Sequence, residues 1–250
     1  MGGMDLGQVL AVISGKGGTG KTSVCAAVAA SLAQDGQKVL CIDADVGLRN
    51  LDIALGLMDE HALPFTAVMS GEYRLSDAAC HPKLPNLRFL TAPVTEQPEE
   101  LDPAQFAAMV RQIREEFDWC LIDAPAGVGA GFRLAVSCAD RAIIVTGGEP
   151  AALRDGARAA AELERHSQAE AAIVVNRIRV RFFKRTRFTV DDCMDTVGLP
   201  LLGIIPEDEA VALAAAKGKP LTLVSKKNAA EACRNIARRL QGKKQPLLRF

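Results

Sequence analysis

Apolar residues gather along this chain in short runs: Val9–Ile13, Lys38–Asp43, Leu87–Leu90, Trp119–Asp123, Ala142–Thr146, Ala171–Asn176 and Leu201–Ile205. They are rich in Val, Ile, Leu and Ala and bury on both faces if they are strands. Between most of them lie stretches long enough for crossover helices. After the first run, Val24, Val28 and Leu32 recur every four residues, as on one face of a helix. The pattern predicts an α/β fold: a doubly wound, mainly parallel sheet with helices on both faces, forming one domain over residues 1–250. In such a sheet, functional residues belong at the carboxyl ends of the strands. The proline-rich segment 63–103 is the least regular and predicts short helices and surface loops. No repeat, low-complexity tract or linker interrupts the pattern.

Composition adds limits. Hydrophobic residues make up 49% of the 250, which allows a large core and excludes global disorder. Aromatics are only 4%, so that core is aliphatic. Thirty basic residues balance thirty acidic ones, which argues against a general nucleic-acid coat. One stretch departs from this balance: Arg177, Arg179, Arg181, Lys184, Arg185 and Arg187, interleaved with Phe182, Phe183 and Phe188. It suits nucleic acid or acidic lipid, and equally a solvated loop with its phenylalanines tucked onto the fold. The seven cysteines are scattered, with no C-x-x-C pair, as expected of reduced core thiols in a cytoplasmic chain. Met1–Gln8 lacks a basic stretch followed by an apolar core, so no export signal is expected. No apolar run nears the ~18–20 residues of a membrane span.

The chemistry begins after the first run. Ser14–Thr22 reads Ser-Gly-Lys-Gly-Gly-Thr-Gly-Lys-Thr, and Gly15, Gly20, Lys21 and Thr22 satisfy the phosphate-loop pattern G-x-x-x-x-G-K-[ST]. Glycines let successive backbone N–H groups converge on phosphate oxygens, and the helix N-terminus adds unpaired donors and a positive dipole end. Lys21 supplies charge to the β/γ-phosphates and Thr22 a hydroxyl to Mg²⁺. The second run ends in Asp43-Ala44-Asp45. Two carboxylates there suit Mg²⁺ water contacts and an attacking water, or a helix cap plus a surface aspartate. Asp123 closes another apolar strand, as a Walker B aspartate or as a cap for the next helix. Asn176 ends the sixth run, where a turn-forming asparagine is an equal alternative.

Lys16, a second lysine inside the loop, gives the stretch its character. Gly-Lys-Gly-Gly-Thr-Gly-Lys-Thr resembles the deviant Walker A ATPases, the family of MinD, ParA and the nitrogenase iron protein. Asp43–Asp52 resembles the first switch of its MinD branch. The resemblance implies bound ATP and Mg²⁺, cradled by Gly15, Lys16, Gly17, Gly18, Thr19, Gly20, Lys21, Thr22 and Ser23. Lys16 would reach across an ATP-bridged homodimer to the partner's nucleotide. Asp45 would position the hydrolytic water, and Lys16, Lys21 and Asp45 would form the catalytic set. Thr22, Asp43 and Asp123 would serve the metal, the aspartates through its water. Asn176 would read the adenine, with Pro206 and Asp208 beside the base. Asn50 would be a switch residue and Gly127 a γ-phosphate sensor. Glu149 carries over weakly, because the residues around it are rearranged.

The implied activity is slow, partner-stimulated ATP hydrolysis in a spatial regulator of cell division that cycles between cytosol and membrane. A division inhibitor or an ATPase-activating protein would be its partner. The alternative is a ParA-like DNA-partitioning ATPase, kept open by the basic stretch. The chain ends Lys243-Lys244-Gln245-Pro246-Leu247-Leu248-Arg249-Phe250. Gly242 stops the preceding helix and Pro246 can only begin another, so a long amphipathic helix is not expected there. Its apolar and basic content still fits a short tail over 243–250 contacting an anionic membrane.

Overall fold

The computed structural model of the chain describes residues 6–58, 60–179, 181, 183, 185 and 189–248. Phe182, Lys184, Arg187 and Phe188 of the basic stretch, and Arg249 and Phe250 of the tail, lie outside the described residues.

The strands are β1 (Gln8–Ile13), β2 (Val39–Asp43), β3 (Ala79–Cys80), β4 (Leu87–Leu90), β5 (Trp119–Asp123), β6 (Arg141–Thr146), β7 (Glu170–Ile178) and β8 (Leu201–Pro206). They form one sheet in the order β3-β4-β2-β5-β1-β6-β7-β8. Every pairing is parallel except β3 with β4, which is antiparallel. Each expected run is a strand within a residue or two of its bounds. β3 was not expected: two residues carry no periodicity.

The helices are α1 (Lys21–Gln34), α2 (Leu51–Leu55), α3 (Phe65–Met69), α4 (Pro103–Glu116), α5 (Ala130–Ser137), α6 (Pro150–His166), α7 (Val190–Val197), α8 (Glu209–Ala216), α9 (Leu221–Val224) and α10 (Ala229–Leu240). Strand side chains alternate between two aliphatic cores. Val9, Ala11 and Ile13 join residues of α4 to α7, whereas Leu10 and Val12 join α1, α2 and α8 to α10. Phe65 and Phe106 add an edge-to-face pair at 6.0 Å. The α1 stripe extends further than Val24, Val28 and Leu32, for every residue from Val24 to Ala33 is buried. The sheet covers one side of α1 and α10 covers another. Alanines at 26, 27, 29, 30 and 33 permit that close approach and favour the helix. Five of the cysteines are buried, and burial pushes the Cys120 thiol up to about 12.

At the amino ends of the strands, Arg114 donates to both carboxylate oxygens of Asp140, at 2.6 and 3.0 Å, and to the Gly7 and Cys138 carbonyls. At the carboxyl ends the chain collects its unbalanced charge instead.

Candidate functional site

The phosphate loop bridges β1 and α1. Gly18 and Gly20 take φ of 79° and 85°, in the left-handed region open to glycine. Gly15 is required for space: a Cβ there would fall 1.9 Å from the Asp155 carbonyl oxygen. Gly20 O accepts from Val24 N at 3.0 Å, which starts α1 directly behind the loop. The Ser14 hydroxyl donates to Lys16 O at 3.0 Å, and Gly127 N donates to Ser14 O at 3.2 Å. The segment after β5 is thereby tied to the base of the loop.

Lys21 is buried, and its Nζ donates to Asp123 Oδ1 at 2.6 Å. Asp43 stands in register beside Asp123 on the neighbouring parallel strand, 1% exposed like it. Burial raises the Asp123 carboxyl above its ordinary range, against the pull of the Lys21 ammonium and the Thr22 hydroxyl. Burial, and then the Asp123 charge, push Asp43 to about 7, although the Asp45 and Leu51 amides donate to its two oxygens at 2.9 and 3.1 Å. Asp43 therefore also holds the turn into α2. Asp45 is half-buried, and its carboxyl is raised by burial against Lys21. Asp123 and Asp45 thus share one buried ammonium, with Asp43 beside Asp123.

That donor set fits Mg²⁺ and a phosphate chain. It is built of hard oxygens and carries surplus negative charge, and Thr22 stands at the start of α1 to supply a hydroxyl. Among the described residues no three His, Cys, Asp or Glu side chains group as a self-sufficient metal cage. Mg²⁺ held largely by substrate phosphates and water does not need one. The loop also carries an orphan: the Thr19 hydroxyl oxygen is buried with no hydrogen-bond partner.

Beside the loop lies a cavity of about 720 Å³, lined by Ser23, Val24, Asn176, Pro206, Asp208 and Val211 among others. Its size and mixed lining suit a base and ribose. Asn176 donates from Nδ2 to Thr19 O at 2.8 Å, so its oxygen and second amide hydrogen are left for a base edge. Asp208 caps α8 through Ala210 N at 2.9 Å and accepts from Ala229 N at 3.2 Å.

Lys16 stands apart from Lys21. It lies at the lip, 45% exposed, with Nζ 3.4 Å from Asp155 Oδ2 of α6. Lys16, Glu149, Arg177, Arg179 and Glu207 line a smaller cleft of about 200 Å³ on the outer side of the loop. Asn50 is exposed ahead of α2. Two residues of this neighbourhood escaped the sequence as site residues. Asp155 precedes Gly156 in a helical run, with only that small residue as a signal. Arg177 stands out in the sequence only as one cation of a basic stretch. In that stretch Arg179 pairs with Glu207 at 2.7 Å, and Phe183 packs against the core.

A glycine loop between a strand and a helix, its lysine buried against a strand-end aspartate and its flank open to a base-sized cavity, defines a P-loop nucleotide-binding protein. The family model described as the CobQ/CobB/MinD/ParA nucleotide binding domain matches residues 10–221. The chain is 40% identical to the septum site-determining protein MinD of Synechocystis sp., over 98% of its own length and 93% of the relative's. It superposes on the Aquifex aeolicus MinC:MinD cell division protein complex with a TM-score of 0.89 at 35% identity, covering 97% of this chain and 99% of that one. For Pyrococcus horikoshii MinD complexed with Mg-ADP the TM-score is 0.80 at 27% identity, with 94% and 96% covered. The chain belongs to the MinD branch of this family, the cell-division ATPases.

Proposed function

We propose that the chain is a Mg-ATP-dependent dimerising ATPase that positions cell division by alternating between a free and a membrane-bound form. The observation that carries this reading is the separation of its two loop lysines. Lys21 is sealed inside its own phosphate cradle, whereas Lys16 waits at the rim on a half-exposed ion pair with Asp155. A lysine at the rim is free to serve a nucleotide facing it from a second copy. Backbone amides of the loop and Lys21 bind the phosphates; Thr22, Asp43 and Asp123 are the residues that would hold Mg²⁺. Mg²⁺ supplies neutralisation of phosphate charge. Asp45, the most open of the three carboxylates, orients the attacking water. The chemistry is positioning and electrostatics, with no covalent intermediate. The family likeness to a MinC:MinD complex supports a division inhibitor as partner.

The membrane reading rests on the tail. Residues 243–248 are non-helical; Leu247 is 43% exposed and Leu248 packs against the core. Arg239 holds them by donating to Gln245 O from Nε and Nη2 at 3.2 and 3.0 Å. Full burial of Leu247, Leu248 and Phe250 would give roughly 5–9 kcal/mol, partial interfacial burial about half. Ordering the tail offsets much of that, so one tail binds marginally and two in a dimer substantially better. Full-length protein should sediment with anionic vesicles in ATP and not in ADP, and deletion of Lys243–Phe250 should abolish this while ATPase activity persists. Protein that stays in the supernatant yet binds random DNA in ATP would reject the membrane reading for the DNA-partitioning one.

A further inference from the structure

We infer that Arg177 is a nucleotide-positioning residue that couples the base cavity to the shape of the phosphate loop; this deepens the ATP-binding reading above and rests on it. The backbone is the first sign. Arg177 has φ 56°, a positive value that, among the described residues outside glycine, only Arg49 and Asn228 also show. It follows Asn176 at a break in the β7–β8 ladder, where the register shifts between Val175 and Ile178. A regular strand would send these two neighbouring side chains to opposite faces of the sheet. The break lets both reach the same loop.

Their targets are consecutive. Arg177 Nη1 donates to Gly18 O at 2.8 Å, and Asn176 Nδ2 donates to Thr19 O at 2.8 Å. The other ends of those two peptide units are the N–H groups of Thr19 and Gly20, which a phosphate loop turns towards phosphate. A cationic donor on a carbonyl polarises its peptide and strengthens the N–H at the far end. The packing leaves no slack: a Cβ on Gly20 would sit 2.4 Å from Asn176 Nδ2 and 3.8 Å from Arg177 Nε. Arg177 also belongs to the wall shared by the base-sized cavity and the outer cleft. A base entering the cavity meets a planar guanidinium already fastened to the phosphate loop. Filling one site then orders the other.

The test uses the full-length protein with calorimetric titration of ATP and of inorganic tripolyphosphate, alongside thermal melting. Arg177→Gly removes the guanidinium while suiting the left-handed backbone, so its melting temperature should equal or exceed that of the wild type. Its ATP affinity should fall about tenfold or more, as for loss of a charged hydrogen bond. Tripolyphosphate, which has no base, should lose several-fold less than ATP. Arg177→Lys, with a donor but no plane, should recover tripolyphosphate binding more fully than ATP binding. Wild-type ATP affinity in Arg177→Gly, equal losses for both ligands, or a melting temperature that falls in step with affinity would each overturn the inference. Wild-type protein that fails to bind ATP at all would overturn the functional reading and this inference together.

Discussion

Replacing Lys21 with methionine should change the stability of the nucleotide-free protein in a pH-dependent way, quite apart from its effect on ATP. The methionine keeps the volume and removes the charge 2.6 Å from Asp123. A buried charge stripped of its partner costs ~3–5 kcal/mol. Asp123 can escape by taking a proton, which sets a ceiling. From the ordinary value of 3.8 to pH 7, at about 1.4 kcal/mol per unit, that ceiling is roughly 4 kcal/mol. The sign follows from the raised folded pKa: the folded variant holds a proton that the unfolded chain has released. Its stability is therefore intact below 3.8 and is lost as pH climbs towards the folded value. At pH 7 the melting temperature should drop by about 8–15 °C, and by less at pH 5.5. Adding Asp123→Asn should recover most of the loss, because two neutral side chains replace one orphaned charge. Thermal melts of wild type, single and double variants at pH 5.5 and 7, without nucleotide, measure all of this. A single variant as stable as the wild type at pH 7, or a double variant no better than the single, would refute the reasoning.

Three further outcomes are expected. Lys16→Ala should bind ATP near normally but stay monomeric on gel filtration in ATP, because its charge lies outside its own cradle; a normal ATP dimer would reject the cross-dimer role. Asp45→Ala should bind ATP, dimerise and turn over slowly, and undiminished phosphate release would remove Asp45 from the chemistry. His81 is buried with Nε2 against Leu55 O at 3.0 Å, while Nδ1 accepts from Lys83 N and Leu84 N at 3.0 Å each, so it is neutral and burial lowers its pKa. The unfolded chain takes up a proton first as pH falls below about 6.5, so the wild type should lose stability relative to His81→Gln between pH 7.5 and 5; parallel melting curves would contradict this.

The strands that could be read in the sequence are those with a buried apolar centre, including β7 and β8, whose ends are partly exposed. Parallel strands covered on both faces appear as unbroken apolar runs, and β1, β2 and β5 are buried throughout or nearly so. β3 could not be read, because its pairing is imposed by β4 and two residues leave no pattern. The loop was legible because its residues are contiguous and each has a stated chemical task. The Lys16–Asp155 pair was not, since nothing local links a loop lysine to a helix so far along the chain. Arg177 was hidden differently: counting cations described a patch, whereas its placement depends on one dihedral angle and a register break that no composition reveals.

The two borders of the sheet decide how copies of this chain can meet. At one border, β3 is a two-residue antiparallel strand, too short to template another strand. At the other, Arg239 donates into the β8 carbonyl row at Leu202 O while also gripping Gln245 O. Both borders are thereby blunted as templates for strand addition, the common route to filaments and amyloid. The carboxyl ends of the strands carry the phosphate loop. In the ATP dimer proposed above, the strand-end faces of the two copies would meet across the phosphate loops, so assembly state would become a readout of nucleotide state.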